Sequence, residues 1–167
     1  MGAGKSAVGR RLSRELGRTF FDTDRWIADQ AGCSIPEIFA RYGEPAFRDL
    51  ESEAAAEVAR RRGLVVSTGG GILGRVANVA LLRSSGVLVF MAARPEVILA
   101  RTAPWDTRPL LRDAADPRAE VERLLRERQP AYDAADLTVD TSDQSIAEVA
   151  EEICARLLSH CRRDAAP

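Results

Sequence analysis

The sequence predicts an α/β fold of three layers, a parallel β-sheet covered on both faces by helices. Two observations carry this. Short apolar runs alternate with longer helical segments, and each run is apolar throughout instead of alternating with polar residues. Continuous apolar strands belong to sheets buried on both faces. Strands separated by helices imply right-handed crossovers and therefore parallel pairing. At 167 residues and 46% hydrophobic content, the chain has the size and composition of one domain with a real core.

The elements follow in order. A helix is predicted from Ser6 to Leu16, with Val8 and Leu12 apolar and Gly17 as a stop. Thr19-Phe20-Phe21 reads as a strand ending at Asp22. Ser34-Ile35-Pro36-Glu37 is a capping-box start, because Ser34 can accept from the Glu37 amide while Glu37 reaches back. That helix ends at Gly43, and a long charged helix runs from Glu44 to Arg62. Leu64 to Thr68 is a strand running into Gly69-Gly70-Gly71, Val87 to Met91 is another, and Leu137 to Val139 closes the set. Ser145 and Glu148 open a last helix whose Ile146, Val149, Ile153 and Leu157 share one face. One domain is expected over residues 1–158, followed by a polar tail at 159–167.

Composition narrows the function classes. The 24 basic residues are balanced by 25 acidic ones, which argues against nucleic acid or an anionic membrane as the main partner. The longest apolar run, Val87 to Ala93, is far shorter than the roughly 20 residues of a membrane helix. No basic-then-apolar leader is visible. Three scattered cysteines, Cys33, Cys154 and Cys161, suit reduced thiols and a cytoplasmic location.

Of the 24 basic residues, lysine occurs once, at Lys5. It stands in Gly2-Ala3-Gly4-Lys5-Ser6-Ala7, the second half of the phosphate-loop pattern. There the glycines turn successive amides toward phosphate oxygens, and the following helix adds the positive end of its dipole. Lys5 reaches the β- and γ-phosphates of ATP as a point charge, and the Ser6 hydroxyl ligates Mg²⁺. Arginine is too broad for that slot. The same residues also fit a myristoylation pattern with Gly2 as acceptor. The pattern's first glycine would lie two residues before Met1, and the strand that feeds such a loop is missing from the sequence. A natural start upstream of Met1 is therefore expected.

Further signatures occur in order: Phe21-Asp22-Thr23-Asp24, Phe47-Arg48, Thr68-Gly69-Gly70-Gly71, Arg108-Pro109-Leu110-Leu111 and Arg128-Gln129-Pro130-Ala131-Tyr132. With the phosphate loop, this order and spacing resemble shikimate kinase, a family of small ATP-dependent kinases in aromatic amino-acid biosynthesis. The resemblance implies a P-loop kinase-like sheet lacking its first strand, and phosphoryl transfer from MgATP to the 3-hydroxyl of shikimate by a monomer. It implies that Asp22 helps hold Mg²⁺ through water beside the Ser6 ligand, and that Asp24 accepts a hydrogen bond from the acceptor hydroxyl as base or orienting group. Arg48 and Arg128 would clamp the shikimate carboxylate, and Gly69, Gly70 and Gly71 would let the backbone approach the ring. Arg108 would meet the transferring phosphoryl group from a lid at about residues 103–115. Arg101 would lie over adenine, with Gln144 as a further adenine contact. Glu51, three residues beyond Arg48, could hold that arginine in its rotamer.

Plainer readings stand beside these. Asp22 and Asp24 flank a strand-to-helix junction, where acids serve as caps. A triple glycine can be only a loop, and exposed helix arginines are usually solvated. Arg60-Arg61-Arg62 reads as such a solvated run, and Cys33 and His160 as chemically idle. Two other functions fit the loop alone: a gluconate or nucleoside monophosphate kinase, and a nucleotide-binding remnant without catalysis.

Overall fold

A computed structural model describes residues 2–103 and 114–164. Helix α1 (Lys5–Glu15) leads into β1 (Thr19–Asp22), α2 (Thr23–Ala31) and α3 (Ile35–Arg60). Strand β2 (Leu64–Ser67) is followed by a 3₁₀ turn (Ile72–Gly74), α4 (Val76–Ser85), β3 (Val89–Ala92) and α5 (Pro95–Thr102). Helix α6 (Pro117–Asp133), β4 (Leu137–Asp140) and α7 (Ile146–Asp164) complete the order.

The helix starts are where side chains can take up orphan amides. Ser34 and Glu37 form the reciprocal box: the Ser34 amide donates to Glu37 at 2.9 Å and the Glu37 amide to Ser34 Oγ at 3.4 Å. Ser145 and Glu148 repeat it ahead of α7, at 2.8 and 3.3 Å. Asp116 accepts from the amides of Arg118 and Ala119 to start α6. Helix α3 is continuous in name only. Gly43 sits at φ 78°, ψ 175°, so two helices meet there end to end, as the sequence predicts. A left-handed φ of this kind suits glycine because a Cβ would clash.

All strand pairing is parallel. Thr19 to Asp22 lie opposite Leu64 to Ser67, and Val89 to Ala92 opposite Leu137 to Asp140. Among the described residues the strands do not join into one sheet; they form two pairs, β1–β2 and β3–β4. Strand β3 begins two residues later than the apolar run suggests, because the turn before β4 engages Leu88. The Leu88 amide donates to Asp136 Oδ2 at 2.8 Å, and its carbonyl accepts from the Asp136 amide at 2.9 Å. Burial on both faces also fails as an expectation. Leu64, Val65, Val66 and all of β3 are only partly buried, because β2 and β3 line a cavity between the pairs.

The core is accordingly divided. Phe21, Ile27, Ile38, Phe47, Ala54 and Ile72 belong to one cluster beneath α2, α3 and α4. Val8, Leu12, Val139, Val149 and Ile153 form a second between α1 and α7, and Ile98 with Val121 a small third. Among the described residues no helix is long and apolar enough to cross a membrane. The carboxyl ends of β1 and β2 emerge beside the start of α1, the place where ligands gather in parallel α/β sheets.

Candidate active site

The loop at residues 2–6 has the backbone that its glycines allow. Gly2 and Gly4 have φ of 66° and 81°, and a methyl group at Gly2 would press on Ile98 and Thr102 side chains at 3.0 Å. Helix α1 opens on Gly4 with no side-chain cap and no acid in its first turn. Its amino end is therefore left open to an anionic ligand, which it favours by its amides and dipole.

Beside that end, the Ser6 hydroxyl donates to Asp22 Oδ2 at 2.9 Å and lies 3.1 Å from Ser67 Oγ. Asp22 Oδ1 accepts from the amides of Asp24 and Arg25, at 3.1 and 3.3 Å. The cap and the metal-facing reading of Asp22 are thus compatible: one oxygen starts α2 and the other faces Ser6. These oxygens fit Mg²⁺, a hard ion that accepts few protein carboxylates and keeps several waters. Among the described residues no group of three or more His, Cys, Asp or Glu could hold a metal by itself.

The glycine loop after β2 gathers the other predicted side chains. Thr23 is fully buried and fixes the loop: its Oγ1 accepts from the Gly69 amide at 2.8 Å and lies 3.5 Å from the Ser67 carbonyl. A methyl at Gly69 would overlap Asp24 Oδ1, one at Gly71 would overlap Arg48 Nη1, and one at Gly70 would stand 2.7 Å from Arg128 Nη1. Each glycine is therefore the condition for one neighbouring side chain to approach the loop. The structure brings Asp24, Arg48 and Arg128 together here from α2, α3 and α6.

Arg48 is held from two sides. Its Nη1 donates to Glu51 at 2.7 Å and its Nη2 to Glu44 at 2.6 Å. Burial opposes the guanidinium charge, but the bonds to Glu51 and Glu44 outweigh it and hold the arginine's pKa above its ordinary value. Phe47, the residue before it, is buried in the core and packs on Phe39 with ring centroids 4.7 Å apart. Glu51 is 1% exposed, and its Oε1 has no hydrogen-bond partner among the described residues. Burial, opposed by Arg48 and reinforced by the nearby Asp24 charge, raises its pKa. Arg128 pairs with no carboxylate among the described residues. Its helix is anchored instead by Tyr132, which stacks on Phe90 of β3 at 4.1 Å.

The remaining predicted residues lie around the end of β4. Arg101 donates to the Thr141 hydroxyl at 3.1 Å and the Thr141 carbonyl at 2.7 Å. Gln144 donates to the Asp140 carbonyl and Glu152, so it staples its own loop. Arg108 and most of the predicted lid lie outside the described residues. In the supposed solvated run, Arg61 sits over the Phe21 ring at 5.3 Å and pairs with Glu57, so its stem covers apolar surface. Thr23 and Ser67 do not stand out in the sequence, because their partners lie 46 and 61 residues away. Their only signal is place: Thr23 stands inside the Phe21 to Asp24 motif, and Ser67 immediately precedes Thr68-Gly69-Gly70-Gly71.

A family model described as shikimate kinase matches residues 1–158. A shikimate kinase of Caldanaerobacter subterraneus subsp. tengcongensis is 43% identical over 153 residues, covering 92% of this chain and 89% of that protein. Among solved structures, shikimate kinase from Acinetobacter baumannii in complex with shikimate has a TM-score of 0.91 at 37% identity, covering 96% of this chain and 89% of that one. A gluconokinase from Sinorhizobium meliloti 1021 reaches a TM-score of 0.62 at 18% identity, covering 99% of this chain and 93% of that one. That likeness shows a shared fold alone. Matched along nearly its whole length, the chain belongs to the shikimate kinase family of ATP-dependent kinases.

Proposed function

We propose that the chain moves the γ-phosphoryl group of ATP to the 3-hydroxyl of shikimate, with roles for its residues as follows. The observation that supports this best is the convergence of one carboxylate and two guanidinium groups on Gly69 to Gly71. That arrangement can aim a hydroxyl with Asp24 while Arg48 and Arg128 receive a carboxylate elsewhere on the same small ring. A planar fork matches a carboxylate in two-pronged fashion, which an ammonium does not.

The amides at the start of α1 and Lys5 hold the nucleotide phosphates, and Arg101 and Gln144 border the adenine. Ser6 and Asp22 would hold Mg²⁺, which when bound neutralises charge on the phosphate oxygens. The acceptor oxygen forms a bond to the γ-phosphorus as the bond from that phosphorus to the bridging oxygen of ADP breaks. Asp24 takes the hydroxyl proton. Arg108 meets the transferring group. All these groups belong to one chain, which supports action as a monomer. Cys33 and Cys154 are free thiols, in keeping with a cytoplasmic setting.

An assay coupling ADP release to an optical signal tests the reading. Turnover should depend on added shikimate and on Mg²⁺. Equal ADP release with and without shikimate, or a clear preference for gluconate, would overturn it.

A further inference from the structure

The phosphate loop and the loop after β4 are far apart in sequence, yet one buried hydroxyl touches both. Thr141, the residue after β4, is 2% exposed. Its Oγ1 accepts from Arg101 Nη1 at 3.1 Å, lies 3.0 Å from the Ala92 carbonyl and reaches the Ala3 carbonyl, 138 residues away, at 3.4 Å. A hydroxyl has one proton to give. The Ala92 carbonyl already accepts from the Thr141 amide at 2.8 Å, so the hydroxyl proton can turn to Ala3 without leaving Ala92 unpaired.

Each end of this bridge has a consequence for a nucleotide. In a planar trans peptide, the carbonyl and the next N–H point in opposite directions. A bond to the Ala3 carbonyl therefore aims the Gly4 N–H away from β4 and fixes a peptide of the phosphate turn. At the other end, Arg101 gives Nη1 to the Thr141 hydroxyl and Nη2 to the Thr141 carbonyl at 2.7 Å. Two such bonds set the plane of the guanidinium and leave its flat faces for a ring. Helix α5, which carries Arg101, also meets the phosphate loop directly: a methyl at Gly2 would press on Ile98 and Thr102 at 3.0 Å.

The loop after β4 does not rely on that hydroxyl. The Arg94 amide donates to Ser142 Oγ at 3.0 Å, and the Arg94 guanidinium grips Asp143 with two bonds of 2.8 and 2.6 Å. The Thr141 amide keeps its bond to Ala92 whatever the side chain. Loss of the hydroxyl thus leaves the backbone in place and removes the link between Arg101 and Ala3.

We infer that Thr141 is a positioning residue for the nucleotide: its hydroxyl holds Arg101 and the Ala3–Gly4 peptide in register, so that the base and the phosphates of one ATP are received together. The inference rests on the reading of this site as the ATP site. None of the bonds involved reaches the acceptor side at Gly69 to Gly71.

Equilibrium titration with the β,γ-imido analogue of ATP and Mg²⁺, beside steady-state kinetics in both substrates, tests it. Thr141→Val keeps the shape and removes the hydroxyl. It should weaken analogue binding and raise the KM for ATP by about tenfold, on the order of one hydrogen bond to a charged group. The shikimate KM should stay within about twofold. Thr141→Ser retains the hydroxyl and should bind the analogue within about twofold of wild type. In an Arg101→Ala chain, adding Thr141→Val should cost less than about threefold, because most of what the hydroxyl holds is already gone. Wild-type affinity in Thr141→Val, an equal loss in Thr141→Ser, a matching rise in the shikimate KM, or the full loss on the Arg101→Ala background would each overturn the inference alone. A wild-type chain that did not bind the analogue would overturn the ATP reading with it.

Discussion

The α3 wall and the α6 wall of the glycine loop each present one arginine, in opposite circumstances. Arg48 on α3 is bound by Glu44 and the buried Glu51, with 29% of its side chain exposed. Arg128 on α6 approaches Gly70 without a carboxylate at ion-pair distance among the described residues. The first guanidinium is fixed in place, but part of its field is cancelled by the acids that fix it. The second, without such a partner among the described residues, feels Glu51 only at longer range and depends on its helix, through Tyr132 on Phe90, for position. One wall supplies preorganisation and the other net charge, and a site that binds a carboxylate while aiming a hydroxyl needs both.

The largest effect should come from the residue between the walls. Asp24→Asn keeps the size and removes the proton acceptor, so kcat should fall by roughly 10² to 10⁴, the usual worth of a positioned general base. The KM for ATP should stay within about twofold, since the phosphate loop is untouched. Steady-state kinetics in both substrates decide this. Retention of wild-type kcat would remove Asp24 from the chemistry.

Gly71→Ala tests the fixed wall by steric means. The new methyl overlaps Arg48 Nη1, so the arginine must shift by a sizeable part of an ångström. A misplacement of about 1 Å can cost roughly 10²-fold, and kcat/KM for shikimate should drop by about that much. Gly4→Ala, at φ 81° in open space, should instead disturb ATP. If Gly71→Ala left shikimate kinetics unchanged, the close approach would have no functional meaning.

The arginines themselves should separate binding from stability. Arg128→Ala removes charged hydrogen bonds worth about 1.5–3 kcal/mol to a bound carboxylate, so the shikimate KM should rise roughly 10- to 150-fold with the Tm little changed. Arg48→Ala should raise KM comparably and also lower the Tm, because it strands the buried Glu51 carboxylate. Thermal unfolding beside kinetics reads the difference. Equal Tm values for the two variants would mean that the contrast between the walls is not energetic.

Much of this was legible from residue order. The helix starts at Ser34 and Ser145, the break at Gly43 and the gathering motifs all follow from local rules about caps, left-handed glycine and residue spacing. What the sequence could not reveal depends on long-range packing. The start of β3 is set by Asp136, 48 residues from Leu88. The partial burial of Val65 and Val89 arises from a cavity whose walls come from distant helices. Thr23 illustrates the limit well: it stands inside a recognised motif, yet its partner at Gly69 appears only when β1 and β2 are side by side.

Glu51→Gln should have the smallest effect on activity and bears most directly on the fixed wall. Glutamine fills the same volume and can still accept from Arg48 through its carbonyl oxygen. Replacing a charged acceptor by a neutral one costs about 1 kcal/mol, so the shikimate KM should rise about fivefold. Stability should respond to pH instead. Burial raises the Glu51 pKa in the folded chain above its ordinary value of 4.5, so folding favours the protonated carboxyl. Its contribution is complete below the ordinary value and is lost as pH rises through the raised one. The glutamine variant has no such titration. Its Tm relative to wild type should therefore climb as pH increases from 4.5 toward neutrality, then level off. Parallel Tm curves for the two proteins across that window would show that Arg48 already compensates the buried charge in full.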